Sequence, residues 1–162
     1  MVKLVPYVHQ IKADYKRYLE AYVEASLHRE FAAWLVFLKS LEQHLKSMPP
    51  ESSKEEVQFK VAFNKTEFHR VTSFKMAALQ ESVQRIHKRV TDKHFAGVDN
   101  RELRITVWSA IKEKLDAYFA RLAHLAACCY HVNFSPSGPE FTEMLNSLPL
   151  VGSRTGRLSQ GN

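Results

Sequence analysis

Glycine is scarce in this chain, and none occurs before Gly97; only five are present in 162 residues, with six prolines and two cysteines. A chain so poor in turn-forming residues has little material for the tight hairpins of an all-β fold, and all-helical is the natural reading. The two cysteines, Cys128 and Cys129, are adjacent. Neighbours on a helix point about 100° apart and cannot readily bridge each other, so they read as buried free thiols of a reducing compartment. No apolar run approaches the roughly 18 residues needed to span a membrane. The opening Met1-Val-Lys-Leu-Val-Pro is too short an apolar run for a signal peptide. A cytoplasmic location follows as the expectation.

Hydrophobic residues make up 45% and charged residues 25%, the balance of an ordinary folded domain. A chain of this size buries about two-thirds of its unfolded surface and needs no metal or disulfide to fold. The organisation expected is one helical domain over residues 1–148, followed by a flexible tail or truncated linker over 149–162. The architecture expected is an elongated helical bundle with a long central helix and a short C-terminal helix.

After a short lead-in to Pro6, Val8, Ile11, Tyr15, Tyr18 and Tyr22 share one face of a helix. Phe31, Leu35, Leu38 and Leu45 extend the pattern to Pro49-Pro50, as one helix or as two with a bend near His28. Ser52 or Ser53, with Glu55-Glu56 behind it, resembles a capping box. From Glu51 to Phe95, Val57, Val61, Phe68, Val71, Phe74, Leu79, Val83, Ile86 and Val90 recur mostly at steps of three and four. That spacing predicts a helix of about 40 residues, roughly 60 Å long, as the spine of the bundle. Ala96-Gly97-Val98 breaks it. A further helix, with Leu103, Val107, Ile111, Leu115, Tyr118, Leu122, Leu125 and Cys129 on its apolar face, runs to about His131, and a short one covers Glu140 to Leu148.

The formal net charge is +6, and most of it lies between Lys60 and His94, where eight Lys and Arg face three acids. Such a face is either solvated or a dock for an acidic partner, and Lys65, Arg85, Lys88 and Arg89 are the candidate partner surface. Nucleic acid is disfavoured, because the aromatics of this stretch lie on or beside the core stripe and not among the lysines. His124, Cys128 and His131 fall on one helical face, but structural zinc normally takes four ligands from two elements. His87 and the residues after it, Phe95 to Asp99, bear a faint likeness to the segment behind a globin's proximal histidine. The helix breaks that a globin needs are missing. No nucleophile elbow, phosphate loop or His-Glu-x-x-His occurs, and no cofactor is expected.

In the order of its elements the chain resembles an SPX domain. The likeness rests on Met1-Val2-Lys3-Leu4, on Asp14-Tyr15 with Tyr22, and on the apolar spacing of Glu67 to Phe74. It rests also on Ala117 to Leu122, Tyr130-His131-Val132-Asn133 and Phe141 to Leu145. The resemblance implies a cytoplasmic helical module that senses inositol pyrophosphates, with Tyr22 and Lys3 carried over as ligand-binding residues; Lys12 and Lys16 are added as candidates for weak anion binding beside them. The family's phosphate-gripping lysines fall here at Ser26, Glu143, Asn146 and Ser147, so the implied site is degenerate and its inositol phosphate binding weak. The function expected is a non-enzymatic regulatory or adaptor domain that binds another protein. The alternatives are a structural helical-bundle subunit of a larger assembly and a basic nucleic-acid-binding helical protein.

Overall fold

The computed structural model describes residues 5–93 and 101–149. Every regular element among them is helical. Helix α1, Val5–Ser47, carries 43 residues and bends at Phe31, whose φ of −124° and ψ of 25° leave the helical region. The choice between one helix and two is resolved as one helical run with a kink, one turn beyond His28.

The expected spine over residues 51–95 is not one helix. Two 3-10 turns, Lys54–Phe59 and Val61–Phe63, are followed by α2, Lys65–Thr72, and α3, Met76–Lys88. A π-helical turn, Arg89–Lys93, ends the segment. The breaks come from small polar residues. Ser53 Oγ accepts the Glu55 amide at 3.4 Å, and Asn64 Oδ1 accepts the Glu67 amide at 2.9 Å. Each supplies a partner to an amide that a helix start leaves orphaned, so starting a new helix there costs little. At the other end of α2 the Ser73 amide and hydroxyl both return to the His69 carbonyl. A 3-10 turn repeats every three residues, so the apolar spacing runs on through it and hides the change. Val61, counted on the buried face, is 85% exposed.

The long central helix is instead α4, Arg101–Leu125, prolonged by a π-helical turn, Ala126–Tyr130. Its predicted face is the buried one: Val107, Ile111, Leu115, Tyr118, Leu122, Leu125 and Cys129 all lie in the core. His131 ends it in the left-handed region, φ 53°, which lets the His131 and Val132 amides return to the Ala126 carbonyl. A cis Ser135–Pro136 bond leads into α5, Gly138–Ser147. There Ser137 and Glu140 form a reciprocal capping box with Pro139 in the first turn.

The principal packing is α1 along α4, with α3 against α1 and α5 against α4. Leu27, Leu35, Leu38 and Leu41 from α1 meet Trp108, Ile111, Leu115 and Leu122 from α4, all fully buried. Each such side chain contributes about 1.5–3 kcal/mol relative to exposure. Phe119 stacks on Phe141 at 4.0 Å, which seats α5. Phe68 stacks on Tyr130 at 4.1 Å, and the Tyr130 hydroxyl donates to the Phe63 carbonyl at 2.6 Å, which seats the 3-10 connector. The predicted break at Ala96-Gly97-Val98 and all but the first residue of the predicted tail lie outside the described residues.

Candidate protein-interaction surface

Three features of the described residues are candidates for function: two charged clusters that bind α1 to its neighbours, and one apolar stripe that is largely exposed. In the first cluster, Glu30 on α1 is 9% exposed and takes Arg85 Nε at 2.8 Å and Arg89 Nη2 at 2.6 Å. Burial raises the pKa of this carboxyl, but hydrogen bonds and charge from the two guanidinium groups outweigh it and hold it below the ordinary value. Arg85 and Arg89 were candidates for a partner surface; both pair with Glu30, Arg89 mostly buried and Arg85 still exposed on α3. The other two candidates of that set, Lys65 and Lys88, are exposed on α2 and α3.

The second cluster centres on Glu24. The Tyr118 hydroxyl donates to Glu24 Oε1 at 2.6 Å, Lys114 Nζ lies 3.2 Å from the same oxygen, and Lys39 Nζ lies 3.6 Å from Oε2. Burial, and then the hydrogen bond to Glu24, push the Tyr118 phenol up to about 12, so it stays a donor at any ordinary pH. Arg121 lies over the face of the Tyr118 ring and pairs with Glu42 on α1. These groups pair α1 with α4, although Glu24 Oε2 is buried without a hydrogen bond and both lysines stay about half exposed.

The residues assigned to ligand binding do not form one site. Lys3 lies outside the described residues. Lys12 and Lys16 are exposed, and Lys16 pairs loosely with Glu20 at 4.0 Å. Tyr22 is half-buried and hydrogen-bonds with Ser26; burial raises its phenol above the ordinary value. On an α-helix Tyr22 points roughly 100° away from the Lys12 and Lys16 pair, so the three cannot close on one anion.

The histidine and cysteine set is likewise separated. His124 lies 3.5 Å from Cys128 Sγ, while the left-handed turn carries His131 away to Glu55 Oε1 at 2.9 Å. No group of three metal-binding side chains occurs among the described residues. Cys128 is half-buried and Cys129 buried, both as free thiols.

The stripe is on the N-terminal half of α1. Tyr7, Val8, Ile11, Tyr15 and Tyr18 are 66%, 47%, 67%, 47% and 66% exposed. Val8, Ile11, Tyr15 and Tyr18 belong to the face that the sequence picks out, with Tyr7 beside it; the structure leaves these exposed and half-buries only Tyr22 at the end of that face. Its inner edge runs into a groove of about 260 Å³ formed by Tyr15, Tyr18, Leu19 and Tyr22 with Leu103 and Val107 of α4. Aromatic rings with a polar tip on an open surface are typical of protein contact sites. The period of α1 made the face legible; whether the bundle covers it was not.

Residues 4–132 match the protein family described as exocyst complex component Sec3, C-terminal. The chain belongs to the Sec3 C-terminal family. No curated protein and no solved structure matches it. The family assignment replaces the SPX resemblance and, with it, the inositol-pyrophosphate site. The resemblance rested on short apolar matches that amphipathic helices in many bundles reproduce, while the lysines that give an SPX domain its chemistry were missing from its counterpart positions. In this Sec3 family member the matched span covers α1 to α4 whole, so the exposed stripe on α1 is part of the family domain.

Proposed function

We propose that this chain is a non-enzymatic structural subunit of the exocyst, acting by protein–protein contact. The observation that carries the reading is the family match over residues 4–132. The charged clusters support it, since their groups are consumed in holding helices together and present no reactive pair to a substrate. The exposed aromatic stripe on α1 supports it too, as a surface suited to a protein neighbour. Among the alternatives at the sequence level, a helical subunit of a larger assembly therefore stands above a regulatory anion sensor. No helix among the described residues is long and apolar enough to cross a membrane. A place in the cytoplasm, within an assembly that works at membranes without the subunit spanning them, fits that composition.

The test is co-expression of the tagged chain with the other exocyst components, followed by affinity purification and gel filtration. Co-elution of the chain with those components at fixed stoichiometry is the expected result. A chain that elutes alone, with every component present and folded, overturns the reading.

A further inference from the structure

The stripe on α1 has the spacing of a helix-pairing seam. Val8, Ile11, Tyr15, Tyr18 and Tyr22 follow steps of three, four, three and four. That is a 3.5-residue repeat, which keeps one line of side chains facing one partner helix. The seam points to one side of the face that α1 buries and meets it only at its end, where Tyr22 packs against the core. Leu19, Val23 and Leu27 turn inward to the bundle, and at 100° per residue the centre of the seam lies about 100° around the helix from them. A helix with two apolar faces in different directions is built to lie between two layers. The bundle provides one layer.

We infer that the seam Val8–Ile11–Tyr15–Tyr18 receives a helix of another exocyst subunit, an inference that rests on the functional reading above. Charge along its flanks speaks against a second copy of this chain. Lys12 borders the seam on one side, with no ion pair among the described residues, and Asp14 borders it on the other, held by Arg17 at 3.2 Å. An antiparallel pair centred on the seam sets Lys12 against Lys12 and Asp14 against Asp14. A parallel pair sets Asp14 against Leu19 and Lys12 against Tyr7. Neither arrangement gives Lys12 an acid. Area sets how far the partner helix must reach. The five exposed side chains offer roughly 500 Å² of accessible surface, below the ~800 Å² per partner of a stable two-chain interface. A longer foreign helix can make up the difference by continuing over the Tyr22, Leu103 and Val107 groove. The chemistry expected of that helix is an aliphatic heptad line to interleave with the tyrosines. It should carry a carboxylate opposite Lys12 and side-chain acceptors within reach of the exposed phenols.

The experiment uses the exocyst purified with the full chain. Ile11→Glu and Tyr18→Glu each place a carboxylate on the seam, and each is expected to lower recovery of the chain in the complex by at least about ten-fold. Circular dichroism and melting temperature of the isolated chain should stay unchanged, because both positions are exposed. A photo-crosslinking residue at Ile11 or Tyr18 should attach to one other subunit at positions three and four apart, and one at Ala13 should not. Wild-type recovery of both Glu variants, or crosslinks to a second copy of this chain, overturns the seam while leaving the functional reading in place. A wild-type chain that joins no exocyst component at all removes the functional reading first and the seam with it.

Discussion

His131 holds a left-handed backbone, φ 53°, without being glycine. For a residue with a Cβ that conformation costs about 1–2 kcal/mol, and the return of its own and the following amide to the Ala126 carbonyl holds it there. The side chain gives back only a contact with Glu55 in which both groups are more than half exposed, worth little in water. Two substitutions separate the backbone from the side chain. His131→Gly and His131→Ala lose the Glu55 contact equally, but only glycine is free of the left-handed penalty. The glycine variant should be the more stable of the two by about 1 kcal/mol in urea denaturation. Equal stability would mean that the turn does not require this conformation.

The helices are tied to one another by a few charged groups, and Glu30 is the strongest case, since one carboxylate joins α1 to both α3 and the π turn behind it. Glu30→Ala strands the Arg89 guanidinium, 13% exposed, without its partner and should cost about 3 kcal/mol. The pH dependence follows from the direction of the shift. The folded carboxyl titrates below its ordinary value of 4.5, so the unfolded chain takes up the proton first as pH falls. Its stabilisation is complete above that value and is lost as pH drops through the lower, folded one. Glu30→Gln removes this contribution, so its stability should fall less between pH 6 and pH 3 than that of the wild type, by equilibrium urea unfolding at each pH. A parallel acid limb in the two proteins would show that the pair does not act through charge. These pairings, like the element boundaries, were only partly legible in the sequence. The buried face of α4 could be read because its apolar residues keep helical spacing over about six turns, and α5 could be placed because Pro139 suits a first helical turn. The break-up of residues 51–95 could not, because Asn64 and Ser73 stop helices without glycine or proline, and 3-10 turns keep the apolar spacing running. Arg89 looked like surface charge for the same kind of reason: its counter-ion lies more than fifty residues away, on another helix.

For the molecule as a whole, the N-terminal end of α1 separates folding from assembly. From Pro6 to Ala13 every residue is exposed, while the core begins in earnest at Val23. Removing residues 1–12 therefore uncovers no buried side chain among those described, and surface changes of this kind seldom move stability by more than about 0.5 kcal/mol. The truncated chain should melt within about 2 °C of the full one. Leu38→Ala, at a position with no exposure at all, should lower the melting temperature by roughly 10 °C. A segment that carries Tyr7, Val8 and Ile11 into solvent yet adds nothing to the fold is apolar surface without an internal reason to exist. If its reason is an external helix, the two variants must behave oppositely in the assembly. The truncated chain stays folded and fails to join, whereas Leu38→Ala, below its lowered melting point, still joins. Thermal melts of both proteins beside their recovery in the purified complex make the comparison directly. A truncated chain that assembles as the full one does would place the contact surface elsewhere on the bundle.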